Sequence, residues 1–188
     1  MNNTWGVVGL GNPGSNYAQT RHNIGRQVLH QLANTHSVSL KHHKAGALVG
    51  GFRAANGDNV VLIEPESYMN LSGVSVAGVA KFFKIEPENL IVLHDELDLA
   101  FGTLKLKLGG GHAGHNGLRS IISHLGADFV RLRLGIGRPP GRQDPADFVL
   151  ARFASTELRE LPLMIDLGAE MTEDVIGEGL LNAQQRHH

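Results

Sequence analysis

His22 in "TRHNIG" and Asp95 in "LIVLHDELDL" could together make a general base whose ring is oriented by a carboxylate. A nucleophilic side chain, the usual third member, is missing. The chain has no cysteine and no G-x-S-x-G turn, and Ser72 and Ser75 fall inside a helical pattern. Water is then the nucleophile. His22 would take its proton, and Asp95 would fix the tautomer and stabilise the imidazolium. Carboxamides would hold the substrate and its developing oxyanion. Three asparagines are placed for that work: Asn12 in "GLGNPG", Asn70 in "YMNLSG" and Asn116 in "GGGHAGHNG".

Each of these residues also has a plainer reading. An asparagine in "GNPG" is more often an Asx-turn residue than a ligand, although a carboxamide also suits holding a carbonyl or a water. His94, Asp95, Glu96, Asp98, His112 and His115 could be assembled into a metal site. Against this, adjacent strand residues point apart, and His112 and His115 sit in a glycine loop rather than on one helix face. No metal is expected. Gly9, Gly11 and Gly14 satisfy G-x-G-x-x-G, the dinucleotide fingerprint, which requires an acidic residue about 20 positions on. There is no Asp or Glu from Gly9 through Gly57, and a nicotinamide enzyme is rejected on that ground.

The elements that must position these side chains can be read from periodicity. Strands are expected at Trp5–Val8, Ala47–Arg53, Asn59–Ile63, Leu90–Leu93, Thr103–Leu108 and Val130–Ile136. Helices are expected from Asn23 to about His36, Met69 to Lys84, Asn116 to Leu125, and Thr156 to about Leu181. For the last, Ser155 is the expected N-cap, with Pro162 breaking or bending it. "GRPPGRQDP", Gly137 to Pro145, reads as a surface loop. Alternating strands and helices predict one α/β domain over residues 1–186 with a largely parallel sheet. In such a sheet Asn12, His22, Asn70, Asp95 and Asn116 gather along one rim, at the carboxyl ends of the strands. The terminal His187 and His188 read as a tag remnant and are set aside.

Charge is informative in its distribution rather than its sum of −1. Between Leu99 and Gln143 seven basic residues stand against one acid, whereas from Asp144 onward nine acids stand against three arginines. Lys105 and Lys107 share one face of their strand, as Arg131 and Arg133 share one face of theirs. Such a face is either a solvated surface or a polyanion site. No stretch approaches the length of a membrane span, no signal peptide is evident, and the absence of cysteine fits a reducing cytoplasm.

Taken in order, "VGLGNPGSNYAQTRHNIG", "PESYMNLSG", "LIVLHDELDL", "GTLKLKLGGGHAGHNGLRSII" and "RLRLGIGRP" resemble the bacterial peptidyl-tRNA hydrolase family. The resemblance spans residues 7 to 139. It implies a monomeric, cofactor-free cytoplasmic enzyme of α/β fold, with a mixed, mostly parallel central sheet flanked by helices, that cleaves the ester joining a peptide to the ribose at the tRNA 3′ terminus. It implies His22 as the catalytic histidine, Asp95 as its orienting carboxylate and Asn12 beside the reacting carbonyl. Asn70 and Asn116 would grip the peptide main chain, and Tyr17, Met69 and His115 would line the site. Lys105, Lys107 and Arg133 would receive the terminal 5′ phosphate and acceptor stem. The short stretch from Leu125 to Phe129 and the "RPPGRQDPADF" loop depart from the family pattern, leaving Arg131, Arg138 and Arg142 unassigned. A non-catalytic RNA-binding relative is the rival reading; it would be expected to carry a transit peptide or degraded site residues, and neither is evident in this sequence.

Overall fold

The computed structural model describes residues 2–188. Seven strands form one sheet in the order β2-β3-β4-β1-β5-β7-β6. These are β1 (Thr4–Gly9), β2 (Lys41–His43), β3 (Ala47–Arg53), β4 (Asn59–Pro65), β5 (Leu90–Glu96), β6 (Leu104–Leu108) and β7 (Val130–Gly135). The central strands β4, β1, β5 and β7 run parallel. Antiparallel strands flank them, β3 and β2 on one side and β6 on the other. The parallel strands β1, β4 and β5 are buried almost throughout. Hence they read as unbroken apolar runs rather than as alternation.

Helices cover both faces. On one, α1 (Ile24–Thr35) and α5 (Ser155–Glu178) join a core containing Val7, Val28, Leu32, Leu93, Leu132 and Val175. On the other, α2 (Ser72–Phe83) and α3 (Asn116–Leu125) cover Val8, Leu10, Ile63 and Val92 with Val76, Val79, Leu118 and Ile121. The result is a three-layer sandwich. Gly25 sets the depth of α1, because a Cβ there would lie 2.2 Å from the Leu93 carbonyl oxygen. That close approach seats the start of α1, and the single 3₁₀ turn Arg21–Asn23 before it, directly over the end of β5. No helix among the described residues is long and apolar enough to cross a membrane.

Several elements differ from the sequence expectation. The edge strand β2 is short and polar and carries no apolar periodicity. The short helix α4 (Pro145–Val149) begins at the end of the expected loop, with the Asp144 side chain accepting from the Ala146 amide at 3.0 Å. Ser155 is the first helical residue of α5 rather than its cap. Ala154 is the N-cap, and its amide donates to Glu157 Oε1 at 2.8 Å. Pro162 does not end α5. Pro162 and Leu158, whose carbonyl the proline leaves unpaired, both lie on the exposed side, where water can take the carbonyl. Gly179, at φ 90°, ends the helix instead, and α6 (Leu180–His187) follows as a separate element. α6 packs along β6, where Gln184 donates to the Leu106 carbonyl at 3.1 Å and the Leu106 amide donates to His188 Nε2 at 3.0 Å. His187, set aside in the sequence reading, pairs with Asp174 at 2.6 Å.

Candidate active site

The rim expected from the sequence exists as a cavity of about 680 Å³ at the carboxyl ends of β1, β5 and β7. Asn12, His22, Met69, Asn70, Asp95, His115 and Asn116 all line it. Tyr17 stands outside the wall, its ring edge-on to Tyr68 with centroids 6.2 Å apart, and Tyr68 itself lines the cavity. Lys107 and Arg133 line one flank together with Arg131, while Lys105 lies outside, on the exposed side of β6.

Asp95, buried near the end of β5, accepts from a histidine on each oxygen. His22 Nδ1 lies 2.8 Å from Oδ2, and His115 Nε2 lies 2.8 Å from Oδ1. His115 is also the N-cap of α3, its Nδ1 accepting from the amides of Gly117 at 3.1 Å and Leu118 at 3.3 Å. An imidazole nitrogen that accepts carries no proton, so His115 bears its proton on Nε2 and donates it to Asp95. The carboxylate can only accept from His22 too, which puts the His22 proton on Nδ1. His22 Nε2 is therefore left as a free lone pair at the cavity wall, the position a general base requires.

The electrostatics follow from this arrangement. Burial disfavours the Asp95 charge, but attraction to His22 and His115 and their hydrogen bonds outweigh it and hold the carboxyl well below the usual range. For His22 burial works against the charged form, yet the Asp95 carboxylate wins and raises its pKa above the ordinary value. His94, buried beside them in the cavity wall, is pushed down to about 3 by burial first and by the neighbouring His115 second. Its ring stays neutral. β5 continues to Glu96, so His94 and Asp95 are adjacent strand residues, yet both line the cavity, and the His94 ring packs edge-on to His115 with centroids 5.2 Å apart.

His22, Asp95 and His115 bring potential ligand atoms within 4.8 Å of one another, the geometry of a metal cluster. The chemistry of the donors argues otherwise. Both nitrogens that face Asp95 carry protons, and a metal there would have to displace them and both hydrogen bonds.

Asn12 is not an Asx-turn residue. Its Oδ1 accepts from the Met69 amide at 2.7 Å, and its own backbone is held by Asn23. With the oxygen so engaged, the Asn12 NH₂ is the group left to donate into the cavity. Asn23 was missed in the sequence reading. The signal for it is its place in "RHN", one residue beyond His22.

The basic flank is built from cross-strand pairs. Lys105 stands opposite Arg133, and Lys107 opposite Arg131. Like charges directly opposite one another are unfavourable unless something compensates them. Arg133 is compensated by Glu96 at 2.9 Å. Arg131, buried and over the Phe129 ring at 4.4 Å, donates to the backbone carbonyls of Gly110 at 2.6 Å, Gly111, and Ala127 at 3.2 Å. Arg131 thus fastens the glycine loop that delivers His115 and Asn116. The two lysines have no such partner among the described residues.

Fold and site together define a three-layer α/β protein with a His–Asp–His cluster in a cavity at the carboxyl edge of its sheet. Residues 6–188 match the family model described as peptidyl-tRNA hydrolase. The peptidyl-tRNA hydrolase of Kineococcus radiotolerans is 51% identical over 100% of this chain and 98% of its own length, and that of Frankia casuarinae 55% over 98% and 93%. A crystal structure of peptidyl-tRNA hydrolase from Acinetobacter baumannii superposes with a TM-score of 0.92 at 41% identity, covering 99% of this chain and 95% of that one. The chain belongs to the peptidyl-tRNA hydrolase family. The 5′-methylthioadenosine nucleosidase of Arabidopsis thaliana, at 8% identity and a TM-score of 0.56, shares only the fold.

Proposed function

We propose that His22, Asp95 and Asn12 carry out the hydrolysis of peptidyl-tRNA in this protein. The enzyme cleaves the ester between peptide and tRNA and releases free tRNA. Water attacks the ester carbonyl while His22 Nε2 takes its proton, and the Asp95 carboxylate stabilises the imidazolium. The carbonyl oxygen gains negative charge, which the Asn12 NH₂ meets as a hydrogen-bond donor. Collapse of the tetrahedral species breaks the bond to the ribose oxygen, which receives the proton from His22. The products are a peptide carboxylate and a free ribose hydroxyl.

The observation that carries this reading is the double grip on Asp95, since it leaves His22 Nε2 as the one unpaired base atom of that triad. Asn70, in the 3₁₀ turn Met69–Leu71 before α2, and Asn116, the first residue of α3, are placed to hold the peptide main chain, which suits an enzyme that accepts any peptide. Met69 and Tyr17 support the same wall. Lys105, Lys107 and Arg133 receive phosphates of the acceptor stem and 3′ end, a contact that carries no sequence information and so accepts every tRNA. The site is complete within one chain, which fits a monomer, and its substrate fits the cytoplasm.

The test is release of tRNA from N-acetylaminoacyl-tRNA and from unblocked aminoacyl-tRNA, both with excess chelator. Rapid cleavage of the blocked substrate alone is expected. His22→Ala should remove most turnover while leaving tRNA affinity nearly intact. Near-normal turnover in that variant would remove His22 as the base, and loss of activity with chelator would restore a metal.

A further inference from the structure

The outer face of α2 inverts the usual amphipathic pattern. Ser72 and Ser75 are buried, each donating its hydroxyl to a backbone carbonyl three residues back, at 2.7 and 3.2 Å. Leu71 and Val74, by contrast, are 51% and 58% exposed. The core does not require this. Val76, Val79 and Ala80 already anchor the helix on the sheet, and Gly73 lies so close to α3 that a Cβ would stand 2.2 Å from the Ser120 carbonyl oxygen. Polar residues at 71 and 74 would serve the fold equally well.

The position of these side chains explains them. Tyr68 and Asn70 line the active-site cavity. Tyr68 caps the 3₁₀ turn Met69–Leu71 that leads into α2, Leu71 closes that turn, and Val74 follows Leu71 by three residues, a spacing that places side chains on one helical face. Tyr68, itself 56% exposed, therefore begins an apolar ridge that leaves the cavity mouth along α2. The opposite flank of the cavity carries Lys107, Arg131 and Arg133. A substrate that joins a polyanion to a peptide meets cations on one side of the scissile bond and an apolar ridge on the other.

We propose that the Tyr68–Leu71–Val74 ridge binds apolar side chains of the peptide part of the substrate, beyond the residues gripped by Asn70 and Asn116. The inference rests on the hydrolase reading above. An extended chain advances about 3.3 Å per residue and one helical turn rises about 5.4 Å, so about two peptide residues beyond those gripped in the cavity span one turn of the ridge. The enzyme thereby favours longer, apolar peptides while still cleaving short ones.

Three substrates test this: N-acetylaminoacyl-tRNA, a hexapeptidyl-tRNA with leucines at the third to fifth residues from the ester, and the same hexapeptide with serines there. The wild-type enzyme should prefer the leucine substrate over the serine one by about tenfold in kcat/KM, carried by KM, as expected for roughly 50 Å² of apolar contact. In Leu71→Ser/Val74→Ser that preference should vanish, with N-acetylaminoacyl-tRNA cleaved as before. Val74→Thr, nearly isosteric, should lose part of the preference and guards against a folding defect, as Val74→Ile should keep it. Retention of the preference in the double variant, or an equal loss on all three substrates by a folded variant, would overturn the proposal. So would a wild-type dimer that the double variant dissolves, since the ridge would then meet a second copy of the chain. Failure of the wild type to cleave any of the three would instead remove the hydrolase reading itself.

Discussion

Asn12 and Asn23 are joined by two reciprocal hydrogen bonds: the Asn12 amide donates to Asn23 Oδ1 and Asn23 Nδ2 donates to the Asn12 carbonyl, each at 2.9 Å. The pairing ties the turn after β1 to the 3₁₀ turn that carries His22. The proposed oxyanion donor, Asn12, and the proposed general base, His22, are thus held in one local frame.

Asn12→Asp separates the two uses of the Asn12 side chain. A carboxylate still accepts from the Met69 amide but has no proton to donate to the oxyanion. The fold should survive, and kcat should fall by about 100- to 1000-fold with KM little changed. Steady-state kinetics on N-acetylaminoacyl-tRNA decides this. A change confined to KM would place Asn12 in ground-state binding alone.

Asp95→Asn should impose the wrong tautomer on His22. His115 Nε2–H would still donate to the carboxamide oxygen, turning the NH₂ toward His22 Nδ1 and moving the His22 proton to Nε2. By analogy with the same substitution in serine proteases, a loss on the order of 10⁴ in kcat is expected. The pH profile adds a sign. His22 must be neutral to act, and Asp95 raises its pKa above the ordinary value of 6.5, so wild-type activity grows as pH rises through that raised value. Without the carboxylate, burial alone remains and lowers the pKa, so the residual activity should show its acid limb at lower pH. An unmoved limb would mean that a different group titrates.

Cations on the basic flank should separate into two kinds. Lys107→Ala or Arg133→Ala should weaken tRNA binding and reduce the slope of log K against log salt by about 1 each. Arg131 faces Lys107 across the strands but spends its guanidinium on three carbonyls. Arg131→Ala should therefore lower thermal stability and kcat together by loosening the loop before His115. Arg131→Lys should not rescue it, since one ammonium cannot span the fork. A pure affinity effect in Arg131→Ala would make it another phosphate contact.

Residues whose chemistry and local element coincide were legible in the sequence. Asn12, His22, Asn70 and Asn116 each follow a strand or open a helix and Asp95 lies near the carboxyl end of one, so their convergence needed only the strand directions. The double role of His115 was not legible, because an N-cap histidine looks like any loop histidine until α3 and β5 are brought together across the sheet. The same holds for Arg131 and Asn23, whose partners lie up to 21 residues away and on other elements. Glu64 is buried beside Arg26 and His30 behind the Asn12 turn, and no periodicity points to a buried ion cluster. At the edges of the fold, β2 is held by pairing with β3 rather than by its own pattern. α5 passes Pro162 because tertiary packing of Leu161 and Met164 outweighs the local preference to break.

His94 should register in the acid stability of the protein. It is buried, its Nδ1–H donates to the Asp95 carbonyl at 2.9 Å, and its Nε2 has no partner among the described residues. Its pKa falls from 6.5 in the unfolded chain to about 3 in the fold. Between those values the unfolded chain binds a proton that the folded protein refuses. The contribution is therefore complete above about pH 6.5 and is lost as pH falls toward about 3, at up to about 1.4 kcal/mol per pH unit. His94→Gln keeps a neutral polar group of similar reach and cannot titrate. Urea unfolding at a series of pH values across that window should show a shallower loss for His94→Gln than for the wild type. The difference in slope should approach that one-proton limit. Absolute stability at neutral pH does not enter, so a variant weaker throughout is still informative. Parallel slopes would mean that His94 takes up its proton in the folded state, with the ring reached by water.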